Sequence, residues 1–112
     1  MKMFLNTDKK YIDGNNPVET TLDKALAAID EHPSIEVCED NHIGFENPQG
    51  EVIQFIKFDG GAWLIDAPVL INGQYSHSLQ DNDLNIGKVK EIVKSFHNSG
   101  NWKGLCKLTR TN

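Results

Sequence analysis

The stretch that most constrains this chain is Glu51–Pro68, EVIQFIKFDGGAWLIDAP. Two runs rich in β-branched and aromatic residues flank a Gly-Gly pair, and such residues fit a pleated, half-buried surface. The pattern predicts two antiparallel strands joined by a tight turn. Either Asp59-Gly60 or Gly60-Gly61 supplies the positive φ angles of a two-residue turn. These choices shift the pairing by two residues, which leaves the side-chain faces unchanged. Val52, Gln54, Ile56, Phe58, Trp63 and Ile65 then share one face; Ile53, Phe55, Lys57, Ala62, Leu64 and Asp66 share the other. A three-residue loop reverses this assignment. With the two-residue turn both faces are apolar in the middle, whereas a sheet with one solvated face alternates more cleanly. Helices can cover one face. The other must meet a further part of the chain or another molecule.

Around this hairpin the pattern is α+β. Residues 1–6 read as a short strand and Thr7–Pro17 as a loop rich in turn formers. Leu22, Ala25, Leu26 and Ile29 recur at helical spacing, with Thr20 or Thr21 as the cap and Pro33 as the stop. Ser34–Cys38 alternates as a strand would, so Ser34–Pro68 is predicted to be a four-stranded antiparallel meander. Asn72-Gly73 signals another turn, with a strand over Tyr75–Leu79. Val89, Ile92, Val93 and Phe96 stripe a second helix that ends at His97, capped by Asp83 or Asn85. Gly104–Thr109 is a candidate edge strand. The expectation is a mainly antiparallel sheet of four to six strands with two helices on one face.

At 112 residues the chain is one domain. Its 38% hydrophobic content argues against disorder. The opening MKMFLN is too short an apolar run for a secretory signal, and no stretch reaches the roughly 20 apolar residues of a membrane helix. The reading is a soluble cytoplasmic protein that does not engage a membrane. Cys38 and Cys106 stand apart and read as free thiols, and no metal ligand set or cofactor motif occurs. The net charge of −5 disfavours nucleic acid as a partner. That charge is uneven: Ala25–Ile56 has no Lys or Arg but carries Glu36, Glu39, Asp40, Glu46 and Glu51, while the chain beyond Ile86 is basic. Charge asymmetry speaks to partners rather than to fold.

No catalytic residue is assigned. His32 and His97 fall at helix ends, where an imidazolium can meet terminal carbonyls. Tyr75 and His77 alternate onto one face, away from Ser76 and Ser78, which argues against a Ser-His dyad. Asp59 reads as a turn residue. Asp66 either accepts backbone amides in a turn at Pro68 or serves as a functional carboxylate. Asp81 and Asp83 lack the glycine of a calcium loop. A ligand pocket, if present, falls near Trp63, Asp66, Tyr75 and His77.

The segments GEVIQFIKFDGGAWLIDAP and VKEIVKSFHNSGNW, a glycine- and tryptophan-bearing hairpin followed by a helix with an aromatic-then-glycine end, are similar to those of small bacterial immunity proteins that neutralise toxins. The chain also resembles orphan proteins carried on mobile gene cassettes. The resemblance covers the last two thirds of the chain and carries over no functional residue. It implies binding by surface complementarity, without catalysis. The leading expectation is a protein-binding module that meets a basic toxin or a second copy of itself. Glu36, Glu39, Asp40, Glu46, Glu51, Phe55 and Leu64 are its candidate contacts. The alternative is a small-ligand protein or minor enzyme using the pocket above.

Overall fold

The computed structural model describes residues 1–111. Eight strands and two α-helices follow the chain: β1 (Lys2–Asn6), β2 (Tyr11–Ile12), β3 (Val18–Glu19), α1 (Leu22–Glu31), β4 (His42–Glu46), β5 (Val52–Lys57), β6 (Trp63–Ile71), β7 (Gln74–Leu84), α2 (Ile86–His97) and β8 (Thr109–Thr111). All strands join one antiparallel sheet of order β2-β1-β4-β5-β6-β7-β8, with β3 also on β1. The α+β class is as expected. The strand count exceeds four to six because the short β2, β3 and β8 pair at the margins.

The decisive detail is the loop after β5. Phe58 N–H donates to the Ala62 carbonyl at 2.8 Å, closing a three-residue loop over Asp59–Gly61. Gly60 and Gly61 both take positive φ there, 70° and 82°, which only glycine adopts without strain. Lys57 therefore pairs with Trp63 and Phe55 with Ile65. The two-residue alternative is corrected: Trp63 and Ile65 share the face of Ile53 and Phe55, and Leu64 and Asp66 share that of Gln54 and Ile56. One odd residue in a turn flips every side chain that follows. Here the flip gathers the large apolar residues on one side.

Met3, Leu5, Ile43, Phe45, Ile53, Phe55, Trp63, Ile65 and Ala67 line that side, and both helices pack over it with Ala25, Ile29, Val89, Ile92, Val93 and Phe96. The helices start as their sequences suggest. Thr21 Oγ1 accepts from Lys24 N–H, and Asn85 Oδ1, rather than Asp83, accepts from Lys88 N–H. Lys90 of α2 pairs with Asp30 of α1, so one acid of the acidic segment meets the basic half directly. Trp102 closes the core edge-to-face against Phe96, centroids 5.9 Å apart.

Two predicted strands are corrected. Ser34–Cys38 is a turn: the Ser34 carbonyl accepts from Val37 and Cys38 N–H, and Ser34 Oγ from Glu36 N–H. Local bonds of this kind compete with a ladder, and the meander from Ser34 to Pro68 has three strands. Gly104–Thr109 is mostly a short 3-10 turn (Trp102–Leu105) and a connector, with β8 beginning only at Thr109. No described helix is long and apolar enough to cross a membrane.

Candidate functional site

The sheet face without helices is mixed rather than uniformly apolar. Across the middle of the sheet a row runs Phe4, Gly44, Gln54, Asp66, Gln80 and Thr109. Phe4 lies flat over Gly44, where any β-carbon would overlap its ring. Asp66 is 8% exposed. Its two oxygens accept from Gln54 Nε2 at 2.9 Å and Gln80 Nε2 at 2.7 Å. A buried carboxylate needs such donors to offset lost hydration. The expected backbone-amide role for Asp66 is thus replaced by two side-chain amides, and Pro68 lies within β6 rather than in a turn. Beside this row, Leu64, Gln80, Asp81, Asn82, Lys107, Thr109 and Thr111 line an open groove of about 350 Å³. Asp81 is engaged there, accepting from Lys107 N–H.

A second cluster sits in the core beneath the end of α1. Asn41 Nδ2 donates to the Cys38 and Lys57 carbonyls, so its Oδ1 is the acceptor for Lys57 N–H and for His32 Nε2 at 2.8 Å. His32 Nε2 therefore carries the proton, and Nδ1 holds a lone pair with no partner among the described residues. The ring is 3% exposed and stacks on Trp63. Burial pushes the His32 pKa below the ordinary imidazole value; the Asn41 bond opposes this, and His42 and Lys57 add to it. The expected imidazolium cap at the end of α1 is corrected: His32 is a neutral core residue. Burial likewise pushes the Cys106 thiol up, with Asp81 adding to it and Lys88 opposing it, which favours the protonated thiol. Both cysteines are free, as read from the sequence.

The four pocket candidates do not converge. Trp63 is fully buried on the helix side, and Asp66 lies on the other side of the same strand. Between Val69–His77 and Leu70–Tyr75 the register shifts, leaving Ser76 as an extra residue in β7. Such a bulge undoes strict alternation. Tyr75 falls opposite Leu70 and His77 opposite Val69, so they occupy opposite faces, contrary to the sequence expectation. Tyr75 Oη bonds Ser78 Oγ at 2.8 Å, and His77 Nδ1 meets Ser76 Oγ at 3.0 Å. Among the described residues no third group bonds His77 to orient the imidazole, which triad chemistry needs.

The partner candidates also separate. Phe55 is fully buried in the core and is corrected as a contact residue; Leu64 is half-buried beside the groove. Glu36, Glu39 and Asp40 are exposed on the α1–β4 loop. Glu46 and Glu51 lie at the opposite end of β4, about 13 Å of strand away. The acidic run in the sequence is therefore two patches. Among the described residues no group of three or more His, Cys, Asp or Glu could hold a metal.

Sequence reasoning missed Gln54, Gln80 and Asn41, which organise the two polar clusters. Only the register could have revealed the first two, because nothing local marks a glutamine as a carboxylate's partner. Sequence reasoning placed the turn at Asn72-Gly73 and a strand after it, but missed the apolar cluster exposed around that turn. Asn72 and Gly73 take φ of 54° and 78°, the two positive values of a tight hairpin turn. Around that turn Leu70, Ile71 and Tyr75 are 58%, 56% and 58% exposed. Comparison with protein-family models, with curated proteins and with solved structures gives no match.

Proposed function

We propose that the protein is a non-catalytic protein-binding module that docks through the outer β6–β7 hairpin, residues 69–77. One observation carries this reading: three large apolar side chains stand in water on a two-stranded ribbon that runs past its neighbours. Among the described residues the last β5–β6 pair is Gln54–Asp66, and β8 meets β7 at Ser78–Gln80. Scattered exposed apolar residues need no explanation, but a cluster at the end of a hairpin has the character of a contact surface. The small-ligand reading has less support, because Trp63, Asp66, Tyr75 and His77 do not share a cavity. The immunity form of the proposal, with a basic toxin as partner, draws on exposed Glu36, Glu39 and Asp40 around exposed Val37.

The test is affinity capture from an extract of the producing cells. The baits are the natural chain, a Leu70→Lys/Tyr75→Lys variant and a Glu36→Lys/Glu39→Lys variant. Loss of a captured polypeptide with the hairpin variant alone supports the reading. Loss with the acidic-loop variant alone moves the contact to the loop and overturns it, as does identical capture by all three.

A further inference from the structure

We infer that the occupant of the β6–β7 arm is a second copy of this chain, packed arm to arm across a twofold axis; this deepens the protein-binding reading and rests on it.

The first argument is charge. Between Asp66 and Asp81 there is no Asp, Glu, Lys or Arg, in a chain that is 24% charged with a net charge of −5. The acids stop where the arm begins and resume where it ends. Steering and selection between different partners rely on complementary charge. An uncharged arm has nothing of that kind to offer a basic toxin. It also has nothing to repel its own copy, and it holds two acidic bodies apart at the far ends of their arms.

The second argument is shape. The bulge at Ser76 turns Tyr75 to the side of Leu70, whereas Val69 and Ile71 alternate to the other side. The arm is therefore apolar on both sides, and Leu70 with Tyr75 makes its more exposed ridge. Two such ridges laid antiparallel are self-complementary, which is the property an isologous contact requires. Pro68 removes a backbone donor on the β5 side and ends that ladder, but no Lys, no inward charge and no second proline protects the arm beyond it. Natural edges left this bare invite pairing.

The third argument is size. Leu70 and Tyr75, the two residues of that ridge, offer roughly 200 Å² of apolar side chain per copy at their observed exposure. With the neighbouring polar groups, the contact falls at or below the roughly 1,200 Å² that marks the low end of specific interfaces. The resulting dimer belongs with weak, transient contacts.

Sedimentation equilibrium of the full chain over a concentration series, at low and high salt, tests this. The expected result is a reversible monomer–dimer equilibrium that tightens with salt. Salt screens the like-charged bodies and leaves an uncharged contact untouched. Leu70→Lys and Tyr75→Lys each weaken it at least about tenfold. The milder Tyr75→Ser weakens it less. Val37→Lys, a charge at an exposed apolar residue elsewhere, does not weaken it. Unfolding midpoints confirm that the variants are folded. A monomer at every concentration overturns the inference, and so does a dimer indifferent to Leu70 and Tyr75. If the chain stays monomeric while hairpin-dependent capture of a different polypeptide persists, the second copy is excluded and the binding-module reading stands. If hairpin variants alter neither mass nor capture, both fall.

Discussion

Ile65 and Ile71 are the same residue on the same strand, and alternation turns both toward the same side of the sheet. Ile65 is completely buried, whereas Ile71 is 56% exposed. The difference lies in what each part of β6 has beside and above it. At Ile65 the strand has β5 and β7 on its flanks, with Phe55 directly opposite, and the helices overhead. At Ile71 only β7 remains, with Gln74 opposite and no helix in the core cluster reaching it. One strand thus serves as framework at its start and as surface at its end. Hydrophobic sequence alone does not distinguish the two uses; coverage does.

The comparison breaks most visibly if the two isoleucines respond alike to truncation. Ile65→Ala is expected to cost about 2–5 kcal/mol, the usual loss for a buried side chain that leaves a cavity. Urea unfolding measures it, and a cost near zero would mean that the hairpin pairs in the other register. Next in size is Gly44→Ala on the opposite face. Its methyl group meets the Phe4 ring, and overpacking of this kind costs about 1–3 kcal/mol. Pairing it with Phe4→Leu should restore part of the loss, whereas full loss in the double variant would place the strain elsewhere.

A pH series sharpens the buried side of the comparison. His32 has a folded-state pKa below its unfolded value. The unfolded chain therefore binds the extra proton first as pH falls, so stability is full above about pH 6.5 and declines below it. His32→Gln should flatten that part of the curve even if it lowers overall stability. An unchanged slope would assign the acid sensitivity to other groups. The smallest effect belongs to the arm: Ile71→Ala should shift monomer stability by no more than about 0.5 kcal/mol. A loss comparable with that of Ile65→Ala would mean that the arm is covered within the monomer.

Much of the framework was legible because its signals are local. Thr21 and Asn85 cap helices by bonds three residues long, and Leu22, Ala25 and Ile29 mark a face by spacing alone. Asn72-Gly73 announces its turn because few other pairs tolerate two positive φ values. The expectation that the β5–β6 hairpin is apolar on both sides is overturned by the loop length. With the three-residue loop in place, the β5–β6 ribbon concentrates Phe55, Trp63 and Ile65 under the helices and leaves Gln54 and Asp66 on the open face. The two-sided ribbon is the β6–β7 arm. The Ser34–Cys38 alternation misled for a related reason: Ser34 and the following amides satisfy one another locally, and only Ile35 N–H reaches a strand, at the Lys57 carbonyl where β5 ends.

From sequence alone came the α+β class, both helices with their buried stripes, and the turns built on Asn, Asp and Gly, since each depends on contacts within a few residues. Tertiary structure alone decided the loop length at Asp59–Gly61, the extra residue at Ser76, the Asp66 and His32 clusters and the bareness of the arm. Each of these turns on a single residue of register, and register is selected by which side chains the whole sheet can bury together.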